Sequence, residues 1–393
     1  MKHIVIVGSG IFGMTIAYWL KKKHPKYHIR ILEKESKLGV HASGRNSGVL
    51  HAGFYYSPDS LKAKYCREGH DYLKDYVKKN KLKINECGKL IVTQSESDLD
   101  YLHFLKERGK VNQIPLELKN ETETHAIDPN ARTVKQALFS PKTATINPAE
   151  LLHCLYLNLK QENVHFEFNQ HYLSFSDKRV KTKNRTFQAD FLINAAGTYA
   201  IDIAKQEGLG NSYTLLPFKG LYLHYDGPDQ PIQTNIYPVP DKRNPFLGVH
   251  YTLSVENKVK IGPTATPAFW NEHYHGFTNF KAKECLKTLY YFSRLFWKNT
   301  DHFRTLAIHE VKKQSQSQLA YLASHLLHKI DSSQFKTWGK PGIRAQVLDR
   351  KSLKLLEDFV VERNENSMHL INAVSPGLTA SFALSKDLVS QLD

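Results

Sequence analysis

Three glycines near the start of the chain limit its fold more than any other feature. In "MKHIVIVGSGIFGMTIAYWLKKK" a β-branched run, Ile4 to Val7, stops at Gly8, and the stretch from Ile11 to Leu20 reads as a helix. Gly8, Gly10 and Gly13 stand at G-x-G-x-x-G spacing. In a strand, turn and helix these allow, respectively, a tight turn, close backbone approach to a pyrophosphate, and close packing of helix on strand. The phosphates then lie on the positive end of the helix, beside Ile11 and Phe12. A second strand, Ile29 to Leu32, ends at Glu33 and Lys34, and Glu33 is twenty positions beyond Gly13. A carboxylate there takes the ribose hydroxyls of an adenosine, which argues against a 2′-phosphate and for FAD or NAD. The uncharged run after Lys2 also suits a signal peptide or a short membrane span. The glycine spacing, the short length and the missing small-residue cleavage site count against both.

The 393 residues, 41% hydrophobic, suffice for a large core divided between two intertwined lobes. Cys66, Cys87, Cys154 and Cys285 form no C-x-x-C pair and read as reduced thiols of a cytoplasmic protein, with neither a disulfide framework nor a metal site. Lys and Arg number 54 against 38 Asp and Glu, a net charge of +16, with runs at "KKKHPK" and "KKNKLK". Nucleic acid, an anionic membrane surface and acidic substrates all suit such a balance, as does a plain solvated lysine-rich surface. No nucleic-acid module accompanies the charge, so no nucleic-acid partner is expected.

Neither a repeat nor a long linker divides the chain, so the lobes must exchange segments. "CGKLIVTQSESDLDYLHFLKERGK" predicts a strand, a cap at Ser95 or Ser97, and a helix. "NPAELLHCLYLNLKQEN" predicts a helix capped by Asn147 with Pro148 at its first position. "RTFQADFLINAAG" reads as one buried strand ending at Ala196 and Gly197, where a cofactor can lie against the sheet edge. The tyrosine-rich segments "GLYLHYDG", "TNIYPVPDKRNPFLGVHYTL" and "KVKIGPTA" read as antiparallel strands that roof a pocket. "NEHYHGF" through "FWKNTDHF", and "SQLAYLASHLLHKI", look helical. "SMHLINAVSPGLTASFALSKDLVSQL" repeats the opening order of strand, turn and helix.

The fingerprint, "GRNSGVLHAGFYYSPDSLKAKYC", "CGKLIV", "LINAAG", "LPFKGLY", "IYPVPD", "PFLGVHYT", "GPTA", "GIRAQVLDR" and "AVSPGLTASFA" together resemble the FAD-dependent D-amino-acid oxidase superfamily. Within it they are most similar to the L-2-hydroxyglutarate oxidases and dehydrogenases, and the resemblance runs from end to end. "GPTA" and "AVSPGLTASFA" differ slightly from the family's small-residue patterns. The resemblance implies an α/β fold: a Rossmann-like FAD-binding domain interleaved with an antiparallel-sheet α+β substrate-binding domain. Residues 1–85, 145–212 and 330–393 are expected in the first, and 86–144 and 213–329 in the second. It also implies noncovalent FAD and oxidation of L-2-hydroxyglutarate to 2-oxoglutarate, with electrons passing on to oxygen or a quinone. The expected location is the cytoplasm, and the basic surface would suit peripheral contact with the inner face of the cell membrane. An amine or amino-acid oxidase of the same superfamily is the nearer alternative, and an RNA-associated flavoprotein the farther one.

On this resemblance Gly44, Arg45, Asn46, Ser47 and Gly48 carry the chain along the pyrophosphate and flavin, and deliver His51 to the reacting carbon of the substrate. Oxidising an alcohol removes a proton from oxygen, and a histidine can accept it at neutral pH. His51 is the candidate base, with a structural histidine as its plain alternative, and His250 is the alternate base or a substrate anchor. Each carboxylate of a hydroxy diacid needs a cation or several donors. Arg344, beyond Gly342, suits one of them with its two-pronged guanidinium. Lys219 is a candidate charge near the flavin or an ordinary surface lysine, and Tyr55 and Tyr237 supply hydroxyls or merely pack. Pro376, Gly377, Leu378 and Thr379 would bring a helix N-terminus to the pyrimidine end of the flavin.

Overall fold

A computed structural model describes residues 2–240 and 248–392. Asp241 of "IYPVPD" and Pro245, Phe246 and Leu247 of "PFLGVHYT" lie outside the described residues. The β-branched run forms the strand His3–Val7, pairing in parallel with His28–Leu32 on one side and Phe191–Asn194 on the other. Ser367–Asn372 extends the sheet beyond Phe191–Asn194, His165–Glu167 extends it beyond His28–Leu32, and Val360–Arg363 closes one edge antiparallel. Helices Ile11–Lys23, Pro148–Gln161 and Gly377–Ser390 cover one face. Ile6, Met14, Ala17, Leu155, Phe382 and Leu384 share one buried cluster there. Each large apolar side chain so buried contributes about 1.5–3 kcal/mol.

The second large sheet has eight strands. From one edge they run Phe335–Trp338, Leu223–Tyr225, Val259–Gly262, His250–Leu253, Asn235–Pro238, Lys89–Val92, Gln136–Ser140 and Glu117–Asn120. All neighbours are antiparallel except Lys89–Val92 and Asn235–Pro238. Phe335–Trp338 therefore pairs within this sheet, although it falls in a segment expected beside the cofactor. A separate ribbon, Tyr213–Gly220 against Gly342–Asp349, sets Arg344 opposite Phe218.

The capping signals act as expected. Ser95 and Asp98 form a capping box ahead of the helix Leu99–Val111, and Asn147 Oδ1 accepts from the backbone of Ala149 and Glu150. "RTFQADFLINAAG" is two strands, Thr186–Gln188 in a small meander and Phe191–Asn194 in the parallel sheet. The Ala189 N–H donates to Lys178 O and the Asp190 N–H to His3 O, so the backbone leaves one ladder and enters another between them. The stretch after "NEHYHGF" becomes helical only from Ala282, giving the helices Ala282–Lys298 and Phe303–Lys312.

Helices Leu61–Lys79 and Gly377–Ser390 pack at Gly69, where an added Cβ would lie 2.3 Å from the Thr379 carbonyl oxygen. Both obstructing groups, Thr379 O and the Ala380 Cα, are backbone. Gly69→Ala is therefore expected to destabilise the fold by about 2 kcal/mol, read as an earlier midpoint in denaturant or thermal unfolding.

Candidate active site

A cavity of about 470 Å³ runs along the carboxyl edge of the parallel sheet. That edge is where open α/β sheets bind their ligands. Gly8 has φ +105°, and a Cβ on it would lie 2.5 Å from Ala195 O, so only glycine brings the first turn against the loop after Phe191–Asn194. Gly13 lies under the turn, not on the cavity, and a Cβ there would sit 1.9 Å from Gly8 O. The helix Ile11–Lys23 begins at Gly10 with no side-chain cap and no acid in its first turn. Its N-terminus thus opens on the cavity with Ile11 and Phe12, an arrangement that accepts phosphate. Ser43 Oγ accepts from the Ile11 N–H at 2.9 Å.

Glu33 lines the cavity and is held in place. Its Oε2 accepts from the Ser9 N–H at 3.1 Å and the Ser9 hydroxyl at 2.5 Å, and its Oε1 from the Glu35 N–H at 3.0 Å. Lys34 lines the same end and pairs with Glu35 and Glu272. Glu35, His41 and Glu272 bring ligand-type atoms within 4.8 Å of one another. The Lys34 ammonium already sits on both carboxylates, so this cluster has its cation. Burial would raise the Glu272 carboxyl, but hydrogen bonds from Lys34 and Tyr199 hold it down at about 2.

The segment from Gly39 to Ser47 folds over the cavity. Gly44 does not line it; a Cβ on Gly44 would lie 2.0 Å from Gly39 O, so its smallness closes the loop. Arg45 lies over the Tyr274 ring at 4.2 Å and donates to Pro341 O at 3.1 Å. Asn46 and Ser47 line the cavity, yet their side chains brace the turn: Asn46 Oδ1 accepts from the Gly48 N–H, and Ser47 Oγ from the Val49 N–H. Gly342 fits because a Cβ there would be 2.7 Å from Arg45 O. Ala196 and Gly197 line one side and Pro376, Gly377, Leu378 and Thr379 the other, with the helix Gly377–Ser390 presenting an uncapped N-terminus. These groups fit a dinucleotide: two helix N-termini without side-chain caps, a fixed acid and a floor of glycines.

His51 and Arg344 both line this cavity. Thr379 Oγ1 accepts from the His51 N–H at 3.1 Å, and the Cys66 thiol donates to His51 O at 3.3 Å. Burial depresses the His51 imidazole well below its usual range, and the charges of Lys89, His250 and His70 add to that. Burial also lowers Arg344, against opposing effects from Tyr222, Glu310 and Tyr56.

His250 and Tyr237 lie beside this site in the eight-stranded sheet, with ring centroids 3.7 Å apart. His250 Nδ1 pairs with Gly248 O at 2.8 Å, and burial pushes its pKa down to about 3. Tyr55 is half-buried against Phe54, and neither it nor Tyr237 lines the cavity. Lys219 does not line the cavity either; its charge acts on His273, and burial lowers its pKa. Sequence reasoning missed Ser43, Tyr222, Tyr274 and Lys89. Only Lys89 carried a signal, a cation inside the apolar run of "CGKLIV".

The family described as FAD dependent oxidoreductase, DAO, matches residues 3–391. L-2-hydroxyglutarate dehydrogenase of Escherichia coli (strain K12) is 30% identical over 399 residues, covering 100% of this chain and 93% of that protein. The mitochondrial L-2-hydroxyglutarate dehydrogenase of Homo sapiens is 31% identical over 408 residues, covering 97% and 86%. Among solved structures, dithionite-reduced L-alpha-glycerophosphate oxidase from Mycoplasma pneumoniae with FAD bound superposes with a TM-score of 0.76 at 23% identity, covering 100% of this chain and 95% of that one. Glycine oxidase from Geobacillus kaustophilus gives 0.72 at 18%, with the same coverage. A cavity built for a dinucleotide and a family match spanning nearly every residue agree, and the chain belongs to the DAO family of FAD-dependent oxidoreductases.

Proposed function

We propose that this enzyme oxidises L-2-hydroxyglutarate to 2-oxoglutarate. The observation that carries the reading is the meeting of His51 and Arg344 in one cavity with the dinucleotide cradle. The substrate itself is inferred from the curated relatives that bear its name. Bound FAD supplies the two-electron acceptor. Arg344 pairs with the carboxylate beside the reacting carbon and fixes its orientation. The neutral imidazole of His51 accepts the proton of the substrate hydroxyl, and burial excludes water from that transfer. The His250 ring, stacked and hydrogen-bonded through Nδ1, supports the wall beside His51 and leaves the proton to it.

The substrate reading is tested by anaerobic titration of the FAD-loaded protein. L-2-hydroxyglutarate is expected to bleach the oxidised flavin band, while its D enantiomer, L-lactate and amino acids do not. Bleaching by an amino acid alone would move the enzyme to the amino-acid oxidases of the same fold.

His51→Ala is expected to keep its FAD and slow that reduction by about 10²–10⁴-fold. The pH dependence has a definite sign. A base whose pKa is depressed stays competent as pH falls past 6.5 and fails only below its lowered value. The acid limb of kcat/KM is therefore expected below pH 6.5.

We infer in addition that the enzyme works at a membrane surface, where a quinone can receive the electrons. No described helix is long and apolar enough to cross a membrane. The helix Ala282–Lys298, however, leaves Leu286 68% and Trp297 77% exposed, with Leu289 and Tyr290 exposed along the same face. Lys283, Lys287, Arg294 and Lys298 on that helix suit anionic headgroups. Co-sedimentation with phosphatidylglycerol vesicles at low salt is expected, and loss of it in a Leu286→Glu, Trp297→Glu variant. A wild-type protein left wholly in the supernatant would refute the surface.

A further inference from the structure

The strand Lys89–Val92 lies inside the eight-stranded sheet, between Asn235–Pro238 and Gln136–Ser140. Leu90, Ile91 and Val92 are fully buried, as that position requires, and so is Lys89. A lysine in such a place ordinarily sends its amine to water or meets a carboxylate. Lys89 does neither: its Nζ is buried and makes no hydrogen bond among the described residues. Three aromatic rings surround it, Tyr237 at 4.4 Å, Tyr55 at 5.0 Å and Phe54 at 5.3 Å from centroid to Nζ. Ring faces attract a cation but leave directed N–H donors without an oxygen.

The box lies behind His51, and neither Lys89 nor its three rings line the cavity itself. Phe54 and Tyr55 follow His51 within four residues, and Tyr237 stacks on His250. The Lys89 charge acts on both histidines, and burial lowers its own pKa to about 7. Tyr55 Oη and His51 Nδ1 are also buried without a hydrogen-bond partner. Buried polar atoms are seldom left so, and a group of them beside a ligand cavity marks where the ligand supplies the missing partner. An ammonium and a hydroxyl together want an anionic oxygen.

We propose that the far end of the substrate passes His51 out of the cavity and into this box, where Lys89 binds its distal carboxylate with the Tyr55 hydroxyl as second donor, and that Lys89 thereby selects a dicarboxylate over a monocarboxylate. The proposal rests on the hydroxy-diacid reading above and names its specificity determinant. Arg344 then holds the carboxylate next to the reacting carbon and Lys89 the one at the far end. A substrate ending in a methyl would leave both donors unpaired in an apolar box, a strong form of rejection.

The test uses the FAD-loaded full chain and Lys89→Met, with glutarate and valerate as unreactive probes and the flavin spectrum as readout. Glutarate is expected to perturb the wild-type spectrum and to bind Lys89→Met roughly 100-fold more weakly, while valerate binds both alike. Lys89→Arg is expected to recover part of the glutarate affinity, since charge is what the site supplies. In turnover, kcat/KM for L-2-hydroxyglutarate should fall by a similar factor and that for L-2-hydroxyvalerate should hold. Equal glutarate affinity in wild type and Lys89→Met would overturn the proposal. So would a uniform loss on both substrates with the acid limb moved to higher pH, which would mean that Lys89 acts only through its field on His51. Lys89→Gln serves if the Met variant does not load flavin. A wild-type protein that no hydroxy diacid bleaches would end the substrate reading, while the glutarate comparison would still decide the role of Lys89.

Discussion

One hydrogen bond joins the two ends of the chain at the reacting centre: the His51 N–H donates to Thr379 Oγ1 at 3.1 Å, across 328 positions of sequence. The same hydroxyl lies against Val49 O, and the carbonyl of Thr379 is the surface on which Gly69 packs. The segment that carries His51, the helix beneath it and the C-terminal helix therefore have a common anchor. Because the N-terminus of that last helix also faces the cavity, one element sets both the cofactor boundary and the position of His51. Its dipole favours negative charge at that boundary.

Near this anchor burial opposes the charge of several lysines. Lys89 lies near 7, and Lys62 and Lys260 near 8, in each case chiefly because burial opposes their charge. Lys260 donates to Ser47 O at 3.2 Å, whereas Lys89 Nζ has no hydrogen-bond partner among the described residues, and a buried cation left so is costly. On the function proposed above, an incoming dianion would offset that cost. Burial depresses His51, and the charge of Lys89 adds to that.

The parts of the molecule legible in the sequence are those written in local signals. The glycine fingerprint, Glu33, the Asn147 cap and the strand, turn and helix of the last segment depend on neighbours within a few residues, and each stands where expected. Asn46 and Ser47 reached the cavity as read, but their polar atoms are used on their own turn, a competition no residue type announces. Ser43 and Tyr274 meet the cofactor cradle only through tertiary approach. Lys219 shows the converse: a motif residue next to site residues whose charge acts on His273 instead of reaching the cavity. "RTFQADFLINAAG" reads as one strand because its apolar character rises smoothly, whereas the ladder changes at Ala189 and Asp190.

The interleaving also orders events in time. The strand His3–Val7 is made before its neighbour Phe191–Asn194, and Ser367–Asn372 and the helix bearing Thr379 follow later still. A nascent chain thus carries the glycine turn long before anything can close over it. Flavin capture must wait until that helix has been made, and until then the apolar strand His3–Val7 and the helix behind it are what a chaperone would meet.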